Sequence, residues 1–132
     1  KLIMSNGNLK ILVFLIGIFY SSISISEPIN GESVDLKVLD KISSKIQNIK
    51  INVNEFAEFG TLKIEVYACF KRPPEEIPED FALLRIYEVN YSKPLNKVYQ
   101  GWMISSNPTA TPFEHPIYDI WVSECNISSD LL

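Results

Sequence analysis

The sequence predicts an all-β domain: a small antiparallel β-sandwich or partly open barrel, with proline-rich loops and one disulfide. Three observations carry that expectation. Short apolar runs with a period of two recur along the chain with turn signals between them, and the cleanest sets Leu62, Ile64, Val66, Ala68 and Phe70 against Lys63, Glu65, Tyr67 and Cys69. Two proline clusters, Pro73–Pro74–Pro78 and Pro108–Pro112–Pro116, break those runs with residues that lack amide donors. The only two cysteines, Cys69 and Cys125, each sit near the end of a strand-like run.

Taken in order, residues 1–26 read as a signal peptide. Lys10 precedes the apolar run Ile11–Tyr20, and Ser24 and Ser26 are small residues at −3 and −1 of a cut before Glu27. Ten strongly apolar residues fall short of the roughly 20 that span a bilayer, so no stable membrane span is expected after cleavage. Met4 reads as the natural start. Residues 27–33 (EPINGES), with Pro28 and Gly31, read as a flexible lead-in, and 34–132 as a single β domain.

Within it, Val34, Leu36 and Val38, then Ile42, Ile46, Ile49, Ile51 and Val53, predict two strands joined at Ser43–Ser44, with a helix over Val34–Lys50 the competing reading. A polar turn ending at Gly60 leads into Leu62–Phe70. Phe81–Val89, Val98–Ile104 and Ile117–Ile127 are the later strands, giving about six or seven in all.

The stretch Gly101–Cys125 holds both tryptophans, the one histidine and one cysteine around a proline-stiffened loop. Strand parity places Tyr118, Ile120 and Val122 on one face and Asp119, Trp121 and Cys125 on the other. Cys69 likewise opposes the Ile64/Val66/Ala68 row. The disulfide is therefore expected outside the core, with Trp121, Asp119 and Tyr67, half covered by Arg72–Pro78 and Asn107–Pro116. A β-bulge in either strand would reverse that parity.

Without residues 1–26, which carry two lysines and no acid, the net charge of −4 becomes −6. An acidic surface argues against nucleic acid and anionic membranes as partners. Two cysteines after an export signal predict one disulfide, worth roughly 4 kcal/mol in the chain-entropy description. A metal site is disfavoured, because His115 alone could join the two thiols and zinc takes four ligands. No cofactor is expected.

The blocks GTLKIEVYACFKRPPEE, FALLRI, GWM, SSNP, EHP and YDIWVSEC resemble the bacterial family called Domain of Unknown Function 2155, over roughly Lys41 to Asn126. The pattern falls on Gly60, Cys69, Arg72, Pro73, Pro74, Gly101, Trp102, Met103, Glu114, His115, Pro116, Tyr118, Asp119, Trp121 and Cys125. Ile104, Asn107 and Tyr99 depart from it conservatively. The resemblance implies an export leader, one domain and an alphaproteobacterial envelope setting, and it brings no activity.

The candidate binding or loop-clamp residues are Arg72, Trp102, Glu114, His115, Tyr118, Asp119 and Trp121. Arg72 is expected to clamp Asp119 or Glu114 across the two proline loops, and His115 to hold its loop by hydrogen bonds. The expected function is a non-catalytic, periplasmic or secreted accessory domain that binds another envelope protein, with loop Ser105–Phe113 in the contact surface. The alternatives are a glycan- or cell-wall-binding module using Trp102 or Trp121, and a small hydrolase centred on His115. Buried tryptophans favour the first, a row of exposed rings the second, and a cleft converging on His115 and an acid the third.

Overall fold

The computed structural model describes residues 6–19 and 26–131. Met4 and Ser24 of the expected leader lie outside them. A helix α1 (Asn6–Phe19) covers most of the apolar leader run. Among the described residues no helix is long and apolar enough to cross a membrane. The described residues then form eight strands: β1 (Ile29–Asn30), β2 (Ser33–Asp40), β3 (Lys45–Asn52), β4 (Phe56–Phe59), β5 (Leu62–Lys71), β6 (Asp80–Glu88), β7 (Asn96–Ile104) and β8 (Tyr118–Asn126), followed by a 3-10 turn at Ser129–Leu131.

All pairings are antiparallel, in two open sheets. The larger has the order β1-β5-β6-β7, with β4 also pairing with β5; the smaller is β3-β2-β8. The fold is thus the sandwich of the two predicted forms. Val34, Leu36, Val38, Ile120 and Val122 of the smaller sheet face Leu62, Ile64, Val66, Leu84 and Ile86 of the larger, all at most 5% exposed. Burying such side chains supplies most of the driving force for folding, at about 1.5–3 kcal/mol each.

Four sequence expectations change. The lead-in is ordered in part: Ile29–Asn30 pairs with Lys71–Phe70, Gly31 N–H donates to the Cys69 carbonyl at 2.9 Å, and Glu32 N–H donates to the Asn126 carbonyl at 2.8 Å. Amides bonded alternately to the two sheets cannot swing freely. Second, the stretch read as a polar turn contains β4, with Phe56 opposite Glu65 and Phe59 opposite Leu62; the turn into β5 is the pair Gly60–Thr61, with Gly60 at φ 56°.

Third, the β2–β3 hairpin buries less than its isoleucines suggest. Ile42 lies in the turn at 79% exposure, and Ile46 faces outward opposite Leu39 at 59%.

Fourth, both cysteine-bearing strands contain a bulge. On β5, Val66 opposes Leu84 and Ala68 opposes Leu83, so Tyr67 is the extra residue. On β8, Val122 opposes Leu36 and Glu124 opposes Asp35, so Ser123 is extra. Each inserted residue flips the alternation beyond it. Cys69 and Cys125 therefore point into the core, 2% and 0% exposed, and their disulfide joins the two sheets from inside. The expectation that it lies outside with Trp121, Asp119 and Tyr67 is overturned.

Candidate functional site

The loop from Ser105 to Ile117 crosses from β7 in one sheet to β8 in the other. Glu79 fastens its start, accepting bonds from Ser105 Oγ and Ser106 N–H, both at 2.9 Å, and from Ser106 Oγ. Burial of Glu79 works against its charge. Those donors, with the Arg72 charge, outweigh the burial and hold the carboxyl below its usual range.

Further along, the loop turns Phe113 and His115 inward, at 6% exposure each. The His115 ring stacks between Phe113, at 5.7 Å, and Tyr118, at 5.4 Å, while Tyr99 meets Phe113 edge-on and Phe59 meets Tyr118 edge-on. Five rings in sequence thus plug one flank of the sandwich.

His115 Nδ1 accepts from the amides of Ile117 and Tyr118, both at 3.2 Å. A neutral imidazole accepting at Nδ1 carries its proton on Nε2, which is buried 3.5 Å from Glu88 Oε1. His115 therefore ties the loop to the first residues of β8. A side chain 3% exposed offers neither nitrogen to an outside substrate.

The expected Arg72–Asp119 clamp is not formed. Asp119 pairs with Lys41 at 2.7 Å, and Lys41 also donates to the His115 carbonyl at 2.9 Å. Arg72 pairs weakly with Glu76 at 3.8 Å and lies over the Phe81 ring. The two belong to different sheets and face outward from opposite sides of the sandwich, so neither can reach the other. Glu114 is exposed. Trp121 sits on the outer face of the smaller sheet, opposite Lys37, and with Pro108, Pro112 and Asp119 lines an open groove of about 380 Å³.

Beside the disulfide, a polar clasp joins the sheets. Asp80 Oδ1 accepts from Cys125 N–H at 3.1 Å, and Lys71 reaches Asp80 at 3.4 Å and Glu124 at 2.9 Å. Burial pulls the Lys71 ammonium down, but its bonds to the two acids outweigh that and raise it above the ordinary lysine value.

The outer face of the larger sheet departs most from what a solvated sheet requires. Registers place side chains on it in four cross-strand rows. Lys63–Tyr87–Lys97 and Glu65–Arg85–Gln100 form a polar half. Ala68–Leu83–Trp102 and Phe70–Phe81–Ile104 form an apolar half. A one-sided antiparallel sheet normally turns polar residues outward, yet six adjoining side chains here are apolar. Trp102 is 40% exposed and tilts over Phe70 at 5.5 Å. The loop runs along this edge, where the Thr111 hydroxyl donates to the Trp102 carbonyl.

Residues 34–125 match the family model described as uncharacterized protein conserved in bacteria (DUF2155). The chain belongs to this family. A relative by sequence, an uncharacterized protein of Rickettsia prowazekii (strain Madrid E), is 32% identical over 96 residues, or 73% of this chain and 60% of that protein. The chain thus spans less than two thirds of that relative's length. No solved structure matches it. Of the motif residues, Cys69, His115, Tyr118 and Cys125 are buried structural parts, Arg72 and Trp102 share the outer face of the larger sheet, Asp119 and Trp121 lie on that of the smaller, and Glu114 is exposed in the loop.

Sequence reasoning passed over Phe70, Phe81, Leu83 and Arg85 as site residues. The signal for them was present. Phe81–Ala82–Leu83–Leu84 and Trp102–Met103–Ile104 are apolar without alternation, the mark of strands with two faces to cover.

Proposed function

We propose that this chain is an exported, non-catalytic binding domain of the bacterial cell envelope, which docks another protein on the outer face of its larger sheet. The observation that carries the reading is the pair of apolar rows on that face, Ala68–Leu83–Trp102 and Phe70–Phe81–Ile104, bordered by the polar rows. An apolar centre with aromatic anchors and a polar rim is the anatomy of a protein interface. The leader pattern and the buried Cys69–Cys125 bond support export to an oxidising compartment. The burial of His115 between two rings, with Nδ1 occupied by backbone amides, speaks against a hydrolase built on it.

The glycan-binding alternative has one observation in its favour, the exposure of Trp102. Sugars also need polar groups that converge around a stacking ring, whereas polar neighbours, Arg85 and Gln100, adjoin Trp102 on one side only, with Leu83 and Ala68 in its own row and Phe81 and Ile104 on the other side. Those neighbours fit a protein better.

The test is site-directed photocrosslinking in envelopes, with the photoreactive residue at Gln100, beside the apolar rows, or at Asn48, exposed on the other sheet. A discrete protein adduct from position 100, absent from 48 and lost on Trp102→Ala with unchanged thermal stability, supports the reading. Equal labelling from both positions, or cosedimentation with cell-wall polysaccharide that Trp102→Ala abolishes, overturns it.

A further inference from the structure

The chain contains two arginines, Arg72 and Arg85. Both lie on the outer face of the larger sheet, one at each end of the apolar half. Arg72 lies over the Phe81 ring at 5.7 Å, and Arg85 over the Tyr67 ring at 4.7 Å, with its Nη1 donating to Tyr87 Oη at 3.2 Å. The β5 bulge matters here: it sets Tyr67 outside the ladder, where its ring supports the guanidinium.

Neither arginine has a strong acidic partner. The carboxylate opposite Arg85, Glu65, is taken by Lys63 at 3.1 Å and by the Tyr67 hydroxyl at 2.7 Å. Among the described residues Arg85 forms no ion pair, and its Nε is buried without a bond. Arg72 reaches Glu76 only at 3.8 Å, and Glu79, whose carbonyl accepts from the Arg72 amide, has its carboxylate occupied by Ser105 and Ser106. A planar cation held on an aromatic ring, with Nη1 of Arg85 on Tyr87 and its Nη2 making no bond among the described residues, is arranged to receive a carboxylate at that one nitrogen.

We infer, resting on the docking reading above, that the partner presents an acidic segment: apolar side chains on Trp102, Leu83 and Phe70, flanked by carboxylates that pair with Arg72 and Arg85. Charge complementarity selects this occupant. The chain carries net −4, so like-charge repulsion opposes an acidic partner everywhere except where both guanidinium groups stand. The Arg72 guanidinium lies over Phe81, four residues from Arg85 on β6, so the two charges stand within about 13 Å at strand rise. That spacing matches carboxylates about four residues apart in an extended segment.

The experiment selects a random-peptide phage library on the oxidised protein and measures winning synthetic peptides against wild type, Trp102→Ala, Arg72→Gln and Arg85→Gln at two salt concentrations. Ile104→Thr replaces Trp102→Ala if the latter melts early. The expected winners combine acidic and apolar residues, lose at least about tenfold in affinity on Arg85→Gln, bind more weakly at high salt, and are abolished by Trp102→Ala. Winners that need Trp102 but are neutral or basic, or that ignore both arginine changes, overturn the acidic partner while leaving the docking face standing. Winners indifferent to Trp102→Ala and Ile104→Thr, or no winners beside a concentration-dependent dimer that Trp102→Ala breaks, overturn both.

Discussion

Gly31 lies directly against Cys125: a side chain built on it would overlap both sulfurs of the Cys69–Cys125 bond. A segment before the first long strand thus packs on the covalent link between the sheets, and its lack of a Cβ is a packing requirement.

Gly31→Ala is expected to destabilise the oxidised domain by about 1–3 kcal/mol, the scale of an overpacked core. In a Cys69→Ala/Cys125→Ala background most of that penalty should vanish. Urea midpoints of the four proteins decide it; an equal penalty in both backgrounds would place the strain in the backbone.

Reduction of the disulfide closing a span of 56 residues should cost roughly 4 kcal/mol. Because both sulfurs are buried, thiol labelling of reduced protein should require unfolding. Mass spectrometry of the protein alkylated in denaturant without reductant should show neither cysteine modified.

His115→Leu should cost several kcal/mol, since it leaves the Ile117 and Tyr118 amides without an acceptor at about 1–3 kcal/mol each. His115→Asn, whose side-chain oxygen can stand near Nδ1, should recover part of the loss. Matched losses in the two variants' thermal melts would mean that the ring stack, and not the acceptor, is what matters.

Asp119→Asn should change stability by less than about 1 kcal/mol. Its partner is Lys41, and both side chains are more than a third exposed, so solvent screens the pair. A loss of 2 kcal/mol or more in guanidinium unfolding would contradict this.

Glu79 gives the loop an acid limit. Its carboxyl is held below the ordinary glutamate value of 4.5 despite the opposing effect of burial, by Ser106, Ser105 and the Arg72 charge. The sign follows: its contribution is complete above that ordinary value and is lost as pH falls through the lower folded one. Glu79→Gln should flatten this part of the acid limb in a plot of melting temperature against pH, and the protection factor of the Ser106 amide, corrected for intrinsic exchange, should fall toward low pH in the parent only.

Much of the sandwich was legible from alternation alone. Leu62–Phe70 and Phe81–Val89 announce strands because a half-buried sheet imposes period two, and two cysteines past a leader announce a bond. What escaped was set by single residues. Tyr67 and Ser123 each shift a ladder by one, and period-two reasoning fails from that point on. A trace was visible: Val66 precedes Cys69, and Val122 precedes Cys125, by three positions, although all four are core. The Arg72–Asp119 clamp failed for a related reason. Pairing across loops depends on which sheet face each strand end presents, and that is fixed by tertiary packing rather than by proximity in the pattern.

The two bulges also make oxidation a proofreading step. With β5 or β8 paired in an unbroken register, one sulfur would turn to solvent while the other stayed inside, and no bond could close. Only a chain that has inserted Tyr67 in one sheet and Ser123 in the other brings both thiols to a Cα separation of 5.8 Å. The closed bond thus requires both sheets to hold their bulged registers at once.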